Sequence, residues 1–466
     1  MLAIIFFEFI KYVPINVLYL HFKELINVLC LHFMERKIEN ELLQWKNSTN
    51  RMPLILQGAR QVGKTFSITK FAREQYSSFV YLNFEANLQL KTIFEGSLIP
   101  ERIIRELSVL FGVSIEKQKT LLFFDEIQVS KRALTSLKYF YEITPGYHII
   151  AAGSLLGVVL KREKYSIPVG KVILKTLYSF DFEEFLWAVQ SKEAATIITE
   201  CYNNNLSCTL HDHFISQFRL FLCTGGMPQA INTYLRTKSF DEVAMVQRNI
   251  TDSYIADMAK YALPAETAKI LSTFNSIPSQ LAKENKKFQY KLIKSGARSI
   301  QFESALDWLQ ASGIVFKCIK ITHVNYPLSV FSESTAFKIY MSDIGLLRSK
   351  SGIAPELIIT DNERLNSFKG SIMENYVATA LINNGYECYY WESEGKAKVD
   401  FVIQTKQGEC IPIEVKSSEN VRSKSLRQYI STYKPLYSIR ISTKNFGFEN
   451  GIKSVPLYAC FCIKEM

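Results

Sequence analysis

The chain has 466 residues, of which 48% are hydrophobic and 21% charged, and this composition excludes a disordered or low-complexity protein. Its length suggests about three domains. Lysine and arginine outnumber aspartate and glutamate by 55 to 44, but the excess is spread along the chain, so nucleic acid is a candidate partner and not a deduction. The nine cysteines and six histidines lack metal-ligand spacing, which favours reduced thiols in the cytoplasm over a zinc site.

Residues 1–33 form a doubtful N-terminal extension that is rich in large apolar residues. Charged residues and Pro14 interrupt it, and its longest uncharged run, 12–22, is shorter than the ~18–20 residues of a membrane-spanning helix. A signal-peptide cleavage site is also missing. We therefore expect no stable membrane insertion. The segment is either a surface-packed extension or the product of an upstream start codon, because a start at Met34 would open directly into an amphipathic helix at 35–45.

A phosphate-binding loop follows the short apolar strand predicted at 53–57. Its sequence fits G-x₄-G-K-[ST] without exception and reads Gly58-Ala59-Arg60-Gln61-Val62-Gly63-Lys64-Thr65. A helix is predicted from Phe66 onward. The glycines let backbone N–H groups turn toward phosphates, and the new helix adds the positive end of its dipole. The loop and Phe66 are thus predicted to bind a nucleoside triphosphate, with Lys64 on its β- and γ-phosphates and Thr65 on Mg²⁺.

The acidic partner of this loop is predicted at the end of the apolar run 120–124. Asp125 is expected to hold Mg²⁺ through water, and Glu126 to orient and polarise the attacking water as base. A third apolar strand ends at Ser154, whose hydroxyl could sense the γ-phosphate, although a simple turn serine is nearly as good an interpretation. Strands and helices alternate between these motifs, which predicts an α/β fold with a P-loop NTPase parallel sheet over residues 34–209.

These motifs, with several further segments, resemble a widespread prokaryotic family of AAA-type ATPases that carries a C-terminal domain of unknown function. The segments that carry the resemblance are 58–65, 121–128, 153–157, 166–172, 180–186, 225–228 and 337–347. The resemblance implies ATP binding and a P-loop core with an additional strand. ATP over GTP rests on it, since no guanine-reading N-K-x-D element is found. Arg162 and Arg219 are the candidate arginine fingers, but neither lies in a diagnostic pattern, so the finger and the oligomeric state stay unassigned.

The region 210–365 is predicted to be a helical lid followed by a winged-helix-like module. Helices are expected at 268–275, 278–284 and 299–312, followed by a β-hairpin from 314–321 and 338–341. Its lysines and arginine could face DNA; they are Lys286, Lys287, Lys291, Lys294 and Arg298. The competing interpretation is a lid or protein-interaction module whose lysines are merely solvated.

The final region, 366–466, is predicted to be a small α/β domain of the restriction-endonuclease-like type. Asp400 lies in one predicted strand, Glu414 and Lys416 share a face of the next, and Glu374 lies on the preceding helix. Two carboxylates and a lysine can bind Mg²⁺ and position a water near a phosphodiester. Against activity, charges at edge strands also discourage aggregation, and Pro412 suggests an edge or distorted strand.

Two functional hypotheses result. In the first, Mg²⁺-dependent ATP hydrolysis switches the nuclease-like, DNA-binding domain. In the second, a slow nucleotide-gated switch acts through a protein partner or self-association, without nuclease activity. A membrane-tethered ATPase, with residues 1–33 as the tether, is a further interpretation.

Overall fold

The fold is described from a computed structural model that covers residues 34–158, 170–393, 397–417 and 424–464. The extension at 1–33, Arg162 and most of the motif at 166–172 lie outside the described residues.

The first sheet has five strands, all parallel, in the order β2-β3-β4-β1-β5. The strands are β1 (Leu54–Gln57), β2 (Ser78–Asn83), β3 (Thr120–Asp125), β4 (His148–Gly153) and β5 (Ile173–Thr176). β4 lies between β1 and β3, and this is the additional strand that the resemblance implied. The parallel α/β core predicted from the alternation is therefore confirmed, whereas β5 had not been predicted.

The strands of this sheet are apolar throughout because helices cover both faces. Every residue of β3 and β4 is buried, as are the first three residues of β1. The surrounding helices are α1 (Lys37–Asn47), α2 (Lys64–Gln75), α3 (Leu88–Glu95), α4 (Pro100–Phe111) and α5 (Lys131–Ile143). Two hydrophobic clusters form, one on each face, and the larger cluster continues into the rest of the chain.

A run of helices follows the sheet. They are α6 (Phe182–Val189), α7 (Lys192–Asn204), α8 (His211–Thr224), α9 (Pro228–Thr237), α10 (Phe240–Tyr261), α11 (Pro264–Leu281) and α12 (Ser299–Ala311). The two helices predicted at 268–275 and 278–284 are one helix, α11, with Pro278 inside it. The helix continues because the proline removes only its own N–H, and the Pro278 carbonyl still accepts from Ala282 N at 2.9 Å.

The second sheet has eight strands of mixed direction in the order β12-β13-β11-β10-β9-β8-β6-β7. Its strands are β6 (Val315–Ile321), β7 (Ser332–Met341), β8 (Tyr389–Glu392), β9 (Lys398–Gln404), β10 (Cys410–Val415), β11 (Ser438–Ser442), β12 (Gly447–Glu449) and β13 (Ile452–Pro456). The hairpin β6–β7, predicted as the wing, is joined to this sheet by parallel pairing of β6 with β8. The sheet therefore crosses the boundary predicted at 365/366.

Four further α-helices complete the described chain around this sheet. They are α13 (Ile344–Lys350), α14 (Pro355–Ile359) and α15 (Asn366–Asn383), and α16 (Lys424–Tyr433) follows β10. The edge-strand interpretation of Pro412 is wrong, because β10 lies between β9 and β11. Pro412 is tolerated there because the ladder with β11 begins one residue later, at Ile413. Among the described residues, no helix combines the length and apolarity needed to span a bilayer.

Candidate nucleotide site

The phosphate-binding loop leaves the carboxyl end of β1 and turns directly into α2. Gly58 has φ +147°, and a Cβ there would lie 2.1 Å from the Leu177 carbonyl oxygen, so only glycine fits. Gly63 has φ +100° and caps the N-terminus of α2. The loop therefore presents backbone N–H groups and the positive end of the α2 dipole at the edge of the sheet where β3 and β4 also end.

Lys64 is held under this loop by the loop's own carbonyl groups. Its Nζ donates to the carbonyl oxygens of Gly58 at 2.9 Å and Ala59 at 2.8 Å. Burial lowers the pKa of Lys64 to about 8, although the charges of Glu126 and Asp125 oppose this effect. The ammonium group is thus poorly compensated, and a bound phosphate would stabilise its charged form.

Thr65 and Asp125, the two predicted metal ligands, lie beside each other. The Thr65 hydroxyl donates to Asp125 Oδ2 at 3.0 Å, and the Tyr81 hydroxyl donates to the same oxygen at 2.9 Å. Burial raises the pKa of the Asp125 carboxyl, an effect that a neighbouring cation would reverse. A hydroxyl and a carboxylate are the oxygen donors that Mg²⁺ takes beside nucleotide phosphates, so these residues fit the ion.

Glu126, the predicted base, follows Asp125 at the end of β3. Its backbone is in the left-handed region, at φ +51°, a strained conformation for a glutamate. Gln128 Nε2 donates to Glu126 Oε2, and burial raises the pKa of the Glu126 carboxyl. A raised pKa suits a group that must accept a proton near neutral pH. Sequence reasoning gave Gln128 no role, and it is the residue that orients this carboxylate.

The end of β4 is matched to that arrangement. A Cβ on Gly153 would lie 2.4 Å from Gln128 Oε1, so the glycine makes room for the glutamine. Ser154 follows and is 8% exposed. It lines a cavity of about 360 Å³ together with Gln57 and Gly58. Ser154 is thus near the loop, and its role as a γ-phosphate sensor stays a prediction.

The remaining loop residues contact elements far away in sequence. Gln61 Nε2 donates to Ser253 Oγ at 3.0 Å, and Arg60 forms an ion pair with Asp257, both partners being on α10. Val62 O accepts from Arg36 Nη1 at 3.0 Å.

A small, largely apolar recess lies beside the loop. A small cavity of about 30 Å³ there is lined by Met34, Phe66, Phe180 and Pro228, among others. A Cβ on Gly63 would lie 3.5 Å from Pro228 Cγ, so the recess adjoins the loop directly.

The predicted nuclease residues are only partly brought together. Asp400 Oδ2 accepts from Val415 N at 2.9 Å, which ties β9 to the E-x-K strand, while Lys416 pairs with Glu414 at 3.0 Å. Among the described residues, no group of three or more histidine, cysteine, aspartate or glutamate side chains has a metal-binding arrangement. Asp400, Glu414 and Glu374 therefore form no ready three-carboxylate centre.

Glu374 is instead the centre of a buried ionic cluster. Its Oε1 accepts from Lys338 Nζ at 2.9 Å and from the Tyr340 hydroxyl, and its Oε2 pairs with Lys286. Burial alone would raise the pKa of Glu374, but Lys338 and Lys286 outweigh it and lower the pKa to about 2. Burial, and then the charge of Glu374, raises the pKa of Asp400 to about 6. Lys338 and Tyr340 were missed in the sequence because a lysine inside a strand carries no motif.

The same cluster changes the predicted basic surface. Lys286 points into the protein, since its side chain is only 15% exposed, and Lys287 is half-buried. Lys291, Lys294 and Arg298 are exposed. Of the two candidate arginine fingers, the described one, Arg219, pairs with Asp361 at 3.0 Å.

Three family models match consecutive parts of the chain. Residues 50–186 match an AAA domain, 215–357 match a domain of unknown function (DUF8612), and 369–460 match another (DUF4143). No curated protein matches the sequence.

Several solved structures are similar to the chain. A Walker-type ATPase of Pyrococcus abyssi is 15% identical, with a TM-score of 0.41, covering 68% of this chain and 95% of its own. The ORC1 protein of Aeropyrum pernix, in complex with DNA, is 12% identical, with a TM-score of 0.29, covering 72% and 92%. The ORC2 protein of Aeropyrum pernix is 13% identical, with a TM-score of 0.33, covering 72% and 93%. The AAA-domain match, the phosphate-binding loop and the strand order together support a P-loop ATPase domain.

Proposed function

We propose that the chain is a cytoplasmic, Mg²⁺-dependent ATPase of AAA type that uses ATP as a conformational switch. The observation that carries the proposal is the convergence of Lys64, Thr65, Asp125 and Glu126 at the carboxyl ends of β1 and β3, with the direct contact of Thr65 with Asp125. These groups come from separate parts of the chain and supply the cation, the metal donors and the base that phosphoryl transfer needs.

Each residue has a defined task in the proposed reaction. Lys64 and the N-terminus of α2 bind the β- and γ-phosphates, and Thr65 and Asp125 would hold Mg²⁺. When bound, the ion neutralises charge that develops on the phosphate oxygens. Glu126 accepts a proton from the attacking water while the water oxygen bonds to the γ-phosphorus. The bond between the γ-phosphorus and the bridging oxygen breaks, and ADP is the leaving group.

The decisive experiment measures binding and turnover separately. Lys64→Ala should weaken ATP binding at least about 100-fold, because a buried cation that faces the phosphates is lost. Phosphate release by the parent protein, started at Met34 and assayed with Mg²⁺, should be abolished in that variant. A Lys64→Ala protein that hydrolyses ATP at the parental rate would overturn the proposal.

The output of the switch has two candidates. An active nuclease requires Mg²⁺-dependent DNA cleavage that disappears in Asp400→Ala and Lys416→Ala. A protein-interaction switch requires no cleavage. The ion pairs of Glu374 with Lys286 and Lys338 favour the second candidate, because they engage the carboxylate that was the possible fourth member of the nuclease site.

DNA as a partner is tested by salt and by turnover. If Lys291, Lys294 and Arg298 bind phosphates, DNA affinity should fall steeply with salt through counterion release. DNA should then also stimulate phosphate release. A flat salt response would remove this surface as a DNA site and leave a protein partner.

A further inference from the structure

The C-terminal turns of α10 lie beside the phosphate-binding loop and form ion pairs on two sides. At one side Arg60 of the loop pairs with Asp257. At the other side Lys260 pairs with Glu85, which follows β2. Asp257 and Lys260 lie within one turn, so both pairs fix the C-terminal end of α10. Tyr254 of the same helix lines the cavity that Gly58 and Ser154 also line.

The contacts to the loop come from one face of α10. Ser253, Tyr254 and Asp257 are spaced as neighbours on a helix surface. The Tyr254 hydroxyl donates to the Arg60 carbonyl oxygen at 3.1 Å, and Ser253 accepts from Gln61 at 3.0 Å. The tip of the loop is therefore held through its backbone and through two side chains.

The Arg60–Asp257 pair is unevenly buried. The Asp257 side chain is 5% exposed and the Arg60 side chain 44%. Burial raises the pKa of the Asp257 carboxyl even though Arg60 opposes this effect. The carboxylate is a fixed, desolvated group. The guanidinium is partly exposed to solvent, so it can turn from Asp257 to another anion.

Arg60 belongs to the same loop as Lys64 and precedes it by four residues. Its charge acts on Lys64, whose other charged neighbours are Glu126, Asp125 and Asp257. A triphosphate held by Lys64 would bring its negative charge to the loop that also carries Arg60. Arg60 would then face two competing anions, the carboxylate of Asp257 and the phosphate.

We propose that Arg60 is the cation that stabilises the γ-phosphate in cis, and that Asp257 on α10 holds it away until a triphosphate competes for it. This inference rests on the proposed ATPase activity. In the transition state Arg60 donates to the equatorial oxygens of the transferring phosphoryl group, and its guanidinium keeps its proton. Release of Arg60 removes one attachment of α10 to the loop. Binding of ATP, but not of ADP, therefore changes the packing of α10 and of the helices that follow it.

The test compares two nucleotides in four variants. Equilibrium affinity is measured for ADP and for a slowly hydrolysed ATP analogue, both with Mg²⁺, and the hydrolysis rate is measured in single turnover with ATP. The variants are Arg60→Ala, Arg60→Lys, Asp257→Asn and, as the matched control on the exposed side of the same helix, Asp252→Asn.

Arg60→Ala should slow single-turnover hydrolysis roughly 10²- to 10³-fold, with ADP affinity unchanged within about threefold, and Arg60→Lys should recover part of the rate. Asp257→Asn should tighten binding of the ATP analogue about fivefold without a change for ADP, because the competing carboxylate charge is gone. If the ion pair were purely structural, Asp257→Asn would change the affinities for both nucleotides by the same factor.

Hydrolysis by Arg60→Ala within threefold of the parent, or an Asp257→Asn effect equal for both nucleotides or equal to that of Asp252→Asn, would overturn the inference. Arg60 is partly exposed and Asp257→Asn is isosteric, so thermal unfolding should confirm folded proteins. A parent that binds both nucleotides without hydrolysing ATP would instead overturn the ATPase proposal alone, since the difference between the nucleotides still tests Arg60 and Asp257.

Discussion

The phosphate-binding loop and the cluster around Glu374 both contain buried lysines and carboxylates, but they differ in how far these charges are compensated. At the loop, burial lowers the pKa of Lys64 and raises those of Asp125 and Glu126, so each charge is under-compensated. In the cluster, two lysines and a tyrosine compensate Glu374 so fully that its pKa falls to about 2.

This difference separates charges that await a ligand from a carboxylate, Glu374, that the protein itself compensates. Charges that are only partly compensated gain stabilisation when a ligand of opposite sign arrives, whereas fully paired charges would first have to break their ion pairs. The comparison supports catalysis at the loop and a structural role for Glu374. Four substitutions test it, taken here from the largest expected effect to the smallest.

Glu374→Gln should lower the free energy of unfolding by about 3–5 kcal/mol, because it leaves two largely buried lysines without their carboxylate. Chemical denaturation at neutral pH measures the effect. The control is Glu303→Gln, an exposed residue of α12, which should change stability by less than about 0.5 kcal/mol. A stable Glu374→Gln protein would show that the cluster is not the structural centre we describe.

Glu126→Gln should retain ATP binding and slow hydrolysis roughly 10²- to 10³-fold, equivalent to about 3–4 kcal/mol of barrier, since the amide cannot accept the proton of water. Single-turnover phosphate release measures the rate. Glu116→Gln, which changes an exposed carboxylate ahead of β3, should leave the rate unchanged. Full hydrolysis by Glu126→Gln would remove Glu126 from its proposed task.

Asp400→Asn should raise the free energy of unfolding at pH 7 by about 2 kcal/mol. The pKa of Asp400 in the folded protein is about 6, above its ordinary value, so between these values the folded state binds more protons than the unfolded state. Stability therefore falls as pH rises from about 4 to 6, and the variant escapes this loss. The advantage should vanish below about pH 4, and denaturation at both pH values measures it.

Equal destabilisation by Asp400→Asn at both pH values would contradict this prediction. It would mean that the Asp400 carboxylate stabilises the fold by accepting from Val415 N, and that burial and the charge of Glu374 do not destabilise it. Asp252→Asn is the surface control, with no expected pH-dependent difference.

Lys416→Ala should cost about 1 kcal/mol of unfolding free energy, because Lys416 is partly exposed but its partner Glu414 is buried. Thermal or chemical denaturation measures it against Lys444→Ala at an exposed position. No change in Lys416→Ala would show that Glu414 is compensated by other groups.

Much of the nucleotide-binding half followed from local sequence signals. A loop that binds phosphates needs glycines, a lysine and a hydroxyl in consecutive positions, so the whole device is contiguous from Gly58 to Thr65. The strands beside it are buried on both faces and therefore read as continuous apolar runs. β5 was missed because none of its four residues is buried, so it lacks that signal.

The other half was less predictable, because its contacts join distant segments of mixed character. The hairpin β6–β7 looks like a self-contained wing in sequence, and only the pairing of β6 with β8 shows that it belongs to the eight-stranded sheet. Lys286 reads as part of a solvated basic loop, yet it reaches a carboxylate 88 residues further along.

The sequence by itself determined the kind of ligand at the loop and the parallel sheet behind it, since both are encoded by short-range patterns of residue type. Only the tertiary structure decided which charges are compensated by a partner and which are not. Lys338 and Glu374 are ordinary residues in a strand and a helix, and Asp257 is an ordinary residue of α10. Their pairing and burial arise when distant elements pack, and the cost of burying a charge depends on those neighbours and not on the local sequence.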